Sequence, residues 1–207
     1  MKIEIGESLM LSWLKHVKNC KLVQLNWKTS PKWDIAHETE ISALIEDMSA
    51  QFPNVFKKNK PRQLLSQAEI DALGVNFSEN GLNYYAIDVA FHSAGLGYGS
   101  TDYNVLKVSE KMLRTALILY AFFSTKSGEI IFATPKINPV CLTPLTQRVA
   151  DIEDFMRQRG FDYKFTLMAN KDFKNLANEV VALSDEVADT SELFLRSCQL
   201  YIVSQKS

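Results

Sequence analysis

Residues 83–124 read NYYAIDVAFH (83–92), SAGLGYGS (93–100) and TDYNVLKVSEKMLRTALILYAFFS (101–124). The first piece is dense in β-forming residues and predicts a strand, with one carboxylate, Asp88, set between Ile87 and Val89. The second holds three glycines, Gly95, Gly97 and Gly99. A tight strand-to-helix passage there requires at least one of them at positive φ. In the third, Val105, Val108, Met112, Ala116, Leu119 and Phe123 recur at helical spacing, while Lys107, Glu110, Lys111 and Arg114 fall elsewhere on the surface. The short apolar run EIIFAT (129–134) follows, completing a strand, helix, strand succession.

Asn80-Gly81 is a hairpin-type turn signal ahead of the 83–92 strand. Upstream, Leu9, Trp13 and Val17 predict a helix over 5–17, and Leu22, Val23, Leu25 and Trp27 a strand over 21–27. Ile41, Leu44, Ile45 and Met48 predict a helix over 39–52. Ser66 and Gly74 bracket what reads as a short capped helix over 66–73. Downstream, Thr143-Pro144 reads as a helix start, with the helix running to Gly160. A strand over 163–169 and a helix from Asn170 to about Glu186 come next. A last helix spans 190–203, with a strand over 198–203 as the alternative. The alternation predicts one α/β domain over residues 1–207, a central sheet with parallel crossovers and helices on both faces.

The longest apolar stretch, Ala116–Phe123, is too short to span a bilayer, and Met1-Lys2 is not followed by the apolar region of a secretory signal. The expectation is a cytoplasmic protein with no membrane partner. Cys20, Cys141 and Cys198 lie far apart with no CxxC pair, which excludes a disulfide scaffold and a structural zinc site. The net charge of −1 conceals a gradient. Residues 1–62 carry a net +3 and residues 150–207 a net −3, with the basic part gathered in 15–32 and 57–62. A polyanion could touch that end, although a solvated face accounts for the same charges.

Asp88 needs a cation, a hydrogen-bond donor or a proton if its strand is buried. His92 lies four residues on, about 13 Å away along a strand, too far for a direct pair. GLGYG (95–99) lacks the G-x-G-x-x-G dinucleotide pattern, and the chain has no phosphate-loop GKS/GKT, G-x-S-x-G elbow or H-E-x-x-H helix.

An early helix with Glu7, a strand, the strand YYAIDVAFH, a long helix bearing Lys107 and Lys111, and the strand EIIFAT together resemble the core of the restriction-endonuclease-like superfamily, the PD-(D/E)xK nucleases. The resemblance covers roughly residues 5–135. It implies a central mixed sheet flanked by helices, with extra C-terminal helices, and a metal-dependent nuclease acting on DNA. It also implies Mg²⁺ held by Asp88, in the place of the motif's second acid, and by Glu7, as the helix-borne acid. Ala90 stands where the motif has its lysine, so Lys107, Lys111 or His92 would take that role. The separate upstream acid has Asp34 and Glu79 as candidates. The alternative is a non-cleaving relative or a non-enzymatic interaction protein in which Asp88 is a structural buried carboxylate.

Overall fold

The computed structural model describes residues 4–56, 60–66, 69–79, 81–92, 94–187 and 190–205. The first helix, α1 (Ile5–Ser12), continues into a π-helical turn over Trp13–Val17. It leads to β1 (Leu22–Lys28), α2 (Glu38–Gln51), α3 (Pro61–Ser66), β2 (Glu69–Ser78), β3 (Gly81–Val89) and α4 (Thr101–Phe123). The remainder is β4 (Ser127–Thr134), α5 (Pro139–Arg157), β5 (Asp162–Ala169), α6 (Lys171–Ala182), a 3₁₀ turn at Leu183–Asp185, and α7 (Leu193–Gln205).

The five strands form one mixed sheet in chain order, β1-β2-β3-β4-β5. The pairs β1–β2 and β2–β3 are antiparallel, and β3–β4 and β4–β5 are parallel. Parallel crossovers are therefore confined to the half of the sheet where α4 and α5 connect the strands. Alternation along the strands divides two cores. Leu73, Ala86, Ile130, Phe132 and Phe165 face α2, α4 and α5. Ala72, Ile87, Ile131 and Ala133 face α1, α6 and α7. No helix among the described residues is long and apolar enough to cross a membrane.

Four expected strands, 21–27, 83–92, 129–134 and 163–169, lie in this sheet with small changes of boundary. The segment expected as a helix over 66–73 does not. It divides between the end of α3 and the start of β2, with residues 67–68 outside the described set. The helix formers of SQAEIDAL are overridden because Glu69–Ser78 sits between two strands that bond both its edges. Gly74 is not a helix stop. A Cβ there would meet Cys20 Sγ and Leu14 Cδ2 at 2.9 Å, so the glycine lets the π-helical turn lie directly on β2.

The helix expected from Thr143-Pro144 begins earlier, at Pro139, and Pro144 is accommodated inside it. Residues 198–203 are helical in α7, which removes the strand alternative. Gly95 (φ 111°) and Gly99 (φ 145°) adopt the positive φ expected of the loop after β3.

Gly128 carries the strictest backbone demand. Its φ is 151°, and a Cβ would lie 2.9 Å from the Tyr84 carbonyl oxygen, which belongs to the neighbouring strand and cannot rotate away. Gly128→Ala is expected to destabilise the protein by about 2 kcal/mol or more, read as a lowered midpoint in urea unfolding at unchanged slope.

Candidate functional site

Asp88 lies near the C-terminal end of β3 on the face covered by α4, and its residue is only 7% exposed. Two α4 residues one turn apart meet it. Lys111 Nζ donates to Asp88 Oδ1 at 2.5 Å, and the Thr115 hydroxyl donates to Oδ2 at 3.3 Å. The expected need of Asp88 for a cation is thus met by Lys111, reaching from the helix rather than from position 90 of the same strand. Ala90 is buried in the core beneath α4.

A second carboxylate stands beside the first. In the β2–β3 register Ala72 pairs with Ile87, so Asp71, one step outward, falls opposite Asp88. Asp71 Oδ2 accepts the Val89 N–H at 2.7 Å. Burial, followed by the negative charge of Asp88, pushes the Asp71 carboxyl up to about 7; the Val89 N–H and Lys111 act against the rise, and Glu7 adds to it. For Lys111, burial disfavours the charge, yet the Asp88 carboxylate and its hydrogen bond outweigh that and hold the ammonium above its ordinary value.

Glu7, in the first turn of α1, approaches from the other side of the sheet. Its Oε2 accepts from the Asn26 side-chain amide at 3.0 Å and from the Glu4 N–H at 3.3 Å. Asn26 lies between the Leu25–Ala72 and Trp27–Ile70 pairs, and so beside Asp71, with a left-handed backbone (φ 51°) that asparagine tolerates. Gly6 brings α1 close: a Cβ there would lie 2.9–3.0 Å from the Phe91 and Val89 side chains at the end of β3.

Tyr98, in the loop pinned by Leu96 N–H to Lys136 O and by Tyr98 N–H to Asn104 Oδ1, is half-buried next to this cluster. Burial raises its phenol pKa, and Lys111, Asp88 and Asp71 are the charges it feels most.

The remaining candidates sit apart from Asp88. Lys107 pairs with Glu110 at 2.7 Å, and Glu110 also holds Arg114 at 2.5 Å, so these charges form a ladder along α4. His92 is exposed, its ring edge-on to Tyr98 at 6.5 Å. Asp34 is exposed in the loop after β1, and Glu79 lies at the tip of the β2–β3 hairpin, the opposite end from Asp88.

The acid absent from the sequence reading is Asp71. Its signal was the hairpin itself, because extending the pairing back from the turn brings residue 71 opposite residue 88. Among the described residues, no three His, Cys, Asp or Glu side chains converge closely enough to hold a metal ion by themselves. A cleft of about 760 Å³ between α5 and β5 is lined by none of Glu7, Asp71, Asp88 and Lys111. Comparison with known proteins finds no matching family model, curated sequence or solved structure.

Asp71 binds its proton more tightly in the folded protein than in the unfolded chain. The folded state therefore loses stability as pH rises from about 4 to about 7, and the cost stays constant above that window. In EDTA, Asp71→Asn is expected to stabilise the protein by on the order of 2 kcal/mol at pH 8. The gain should shrink towards pH 4, as followed by thermal melts across the pH range.

Proposed function

We propose that this chain is a metal-dependent nuclease of the restriction-endonuclease-like type, acting on DNA. The observation that carries the reading is the juxtaposition of Asp71 and Asp88 on adjacent strands, with Lys111 delivered to the same point by α4. Two carboxylates side by side repel one another, and burial first, with that repulsion added, raises the Asp71 pKa. A divalent cation would relieve it. Mg²⁺ is commonly held by one or two carboxylates together with substrate phosphates and water, so a two-acid donor set suits it. Asp71 and Asp88 would hold the ion, and Glu7, anchored by Asn26, would flank them. Once bound, the ion would supply Lewis acidity towards a phosphodiester and a water made nucleophilic near neutral pH.

The protein's own groups divide the remaining work. Thr115 fixes the rotamer of Asp88, and the Val89 N–H fixes that of Asp71. Lys111 orients Asp88 and is a cation at the point where negative charge grows on the phosphate as it is attacked. A lysine on α4 can serve the sheet as one at position 90 would, because Lys111 and Thr115 share the helix face that lies over Asp88. The basic surface of residues 1–62 offers complementary charge to a polyanion.

The test is cleavage of plasmid and linear DNA in Mg²⁺ or Mn²⁺. Asp88→Asn and Asp71→Asn are each expected to abolish cleavage while preserving the fold. Lys111→Ala should lower the rate by about a hundredfold or more, within the range for loss of a group that stabilises developing charge. Undetectable cleavage by the wild-type protein, with no Mn²⁺ binding by calorimetry that depends on Asp71 and Asp88, would refute the proposal.

A further inference from the structure

A pocket of about 320 Å³ opens beside the C-terminal end of β1, on the α4 side of the sheet. Ile35, Leu65 and Phe122 contribute its apolar lining, and Trp33, Ser30 and Arg62 lie at it as well. Trp33 is 47% exposed, a large fraction for an indole. Its position is nevertheless set by packing, with ring centroids 5.9 Å from Trp27 and 6.0 Å from Phe122.

The pocket adjoins the carboxylate site. Trp27 pairs with Ile70, the residue before Asp71, and both Trp27 and Ile70 belong to the core on the face that Asp88 shares. With strands about 4.8 Å apart and the Trp27–Trp33 separation added, the Trp33 ring lies on the order of 10–15 Å from Asp71. A few nucleotides span that distance.

The charges around it favour a polyanion. Lys32 and Lys60 are exposed and pair with no described acidic residue, while Lys28–Glu69 (3.1 Å) and Arg62–Glu38 (3.3 Å) are surface pairs that a phosphate can displace at little cost. An indole with an accessible surface, hydroxyl and guanidinium groups beside it, and unpaired lysines nearby are the parts with which proteins hold an unpaired base and its backbone. The volume suits one planar ring system.

We propose that this pocket stacks an unpaired base of a single-stranded nucleic acid on Trp33, with the adjoining backbone led past Lys32 and Arg62 towards Asp71 and Asp88. The inference rests on the nuclease reading and narrows its substrate to nucleic acid with a single-stranded stretch.

Fluorescence anisotropy in EDTA tests it, using a labelled 16-nucleotide DNA single strand and a duplex of the same length. Trp33→Ala is expected to weaken single-strand binding about tenfold and duplex binding less than twofold. Trp33→Tyr, which keeps a stacking ring and guards against a folding defect, should retain most of the affinity. Arg62→Ala should reduce the slope of log affinity against log salt by about 1. Single-strand binding unchanged in Trp33→Ala would overturn the pocket and leave the nuclease reading standing. Wild-type protein that binds neither probe would overturn both.

Discussion

The contact between Lys111 and Asp88 ties the longest helix to the centre of the sheet, and much of the architecture follows from it. Asp88 is almost fully buried, and a carboxylate in that position without a cation would cost several kcal/mol. α4 must therefore lie so that Lys111 and Thr115, one turn apart, both reach the end of β3. That placement sets the crossover from β3 to β4 and the direction in which the charged ladder Lys107–Glu110–Arg114 runs. Asp71 then has no cation of its own. Its relief is a backbone N–H from Val89 and the charge of Lys111, which is bound to Asp88, while Asp88 and Glu7 both press on it. A fold selected only for stability would replace such a residue with an apolar one, since removing a poorly compensated buried charge commonly gains stability. Local inconsistency of this kind is what a functional site looks like energetically.

The elements around the site serve the same approach of groups. Gly6 allows α1 to settle against Val89 and Phe91, carrying Glu7 to the strand ends, and Asn26 anchors Glu7 from β1. At the other side of the sheet centre, the left-handed glycines 95 and 99 let the chain turn from β3 into α4 while Tyr98 remains beside Lys111. Acidic groups thus arrive from three elements and basic ones from a fourth.

Much of this was legible in the residues. Apolar runs such as LVQLNW and EIIFAT have no plausible helical face, and α4 repeats its apolar positions over six turns, so pattern alone placed them. β2 escaped because its local chemistry points the wrong way: Ser66, Gln67, Ala68 and Glu69 favour a helix, and Gly74 imitates a helix stop. Its strand character comes from neighbours on both edges, and its glycine is there for Leu14 and Cys20, contacts that no local window contains. The start of α5 was misplaced for a similar reason. Thr143-Pro144 has the pattern of a cap followed by a first-turn proline, but that first-turn role belongs to Pro139, and Pro144 lies inside the helix.

The strand β2 also carries a residue of the site. Asp88 stands out by its place in an apolar strand, whereas Glu7 and Lys111 enter only through the family resemblance; the partner of Asp88 follows only from the hairpin, and Asp71 lies in a segment that reads as helix. Asp34 and Glu79 precede Asp88 in the chain, but sequence proximity is a poor guide when pairing is set by register. Once Ser78 pairs with Gly81, every later pair follows, and residue 71 must face residue 88. A shift of one residue in that register would turn Asp71 to the α1 side of the sheet and separate the two carboxylates. The chemistry proposed for this chain is therefore set by the turn of a hairpin at the opposite end of the strands, which fixes register while contributing no group to the site.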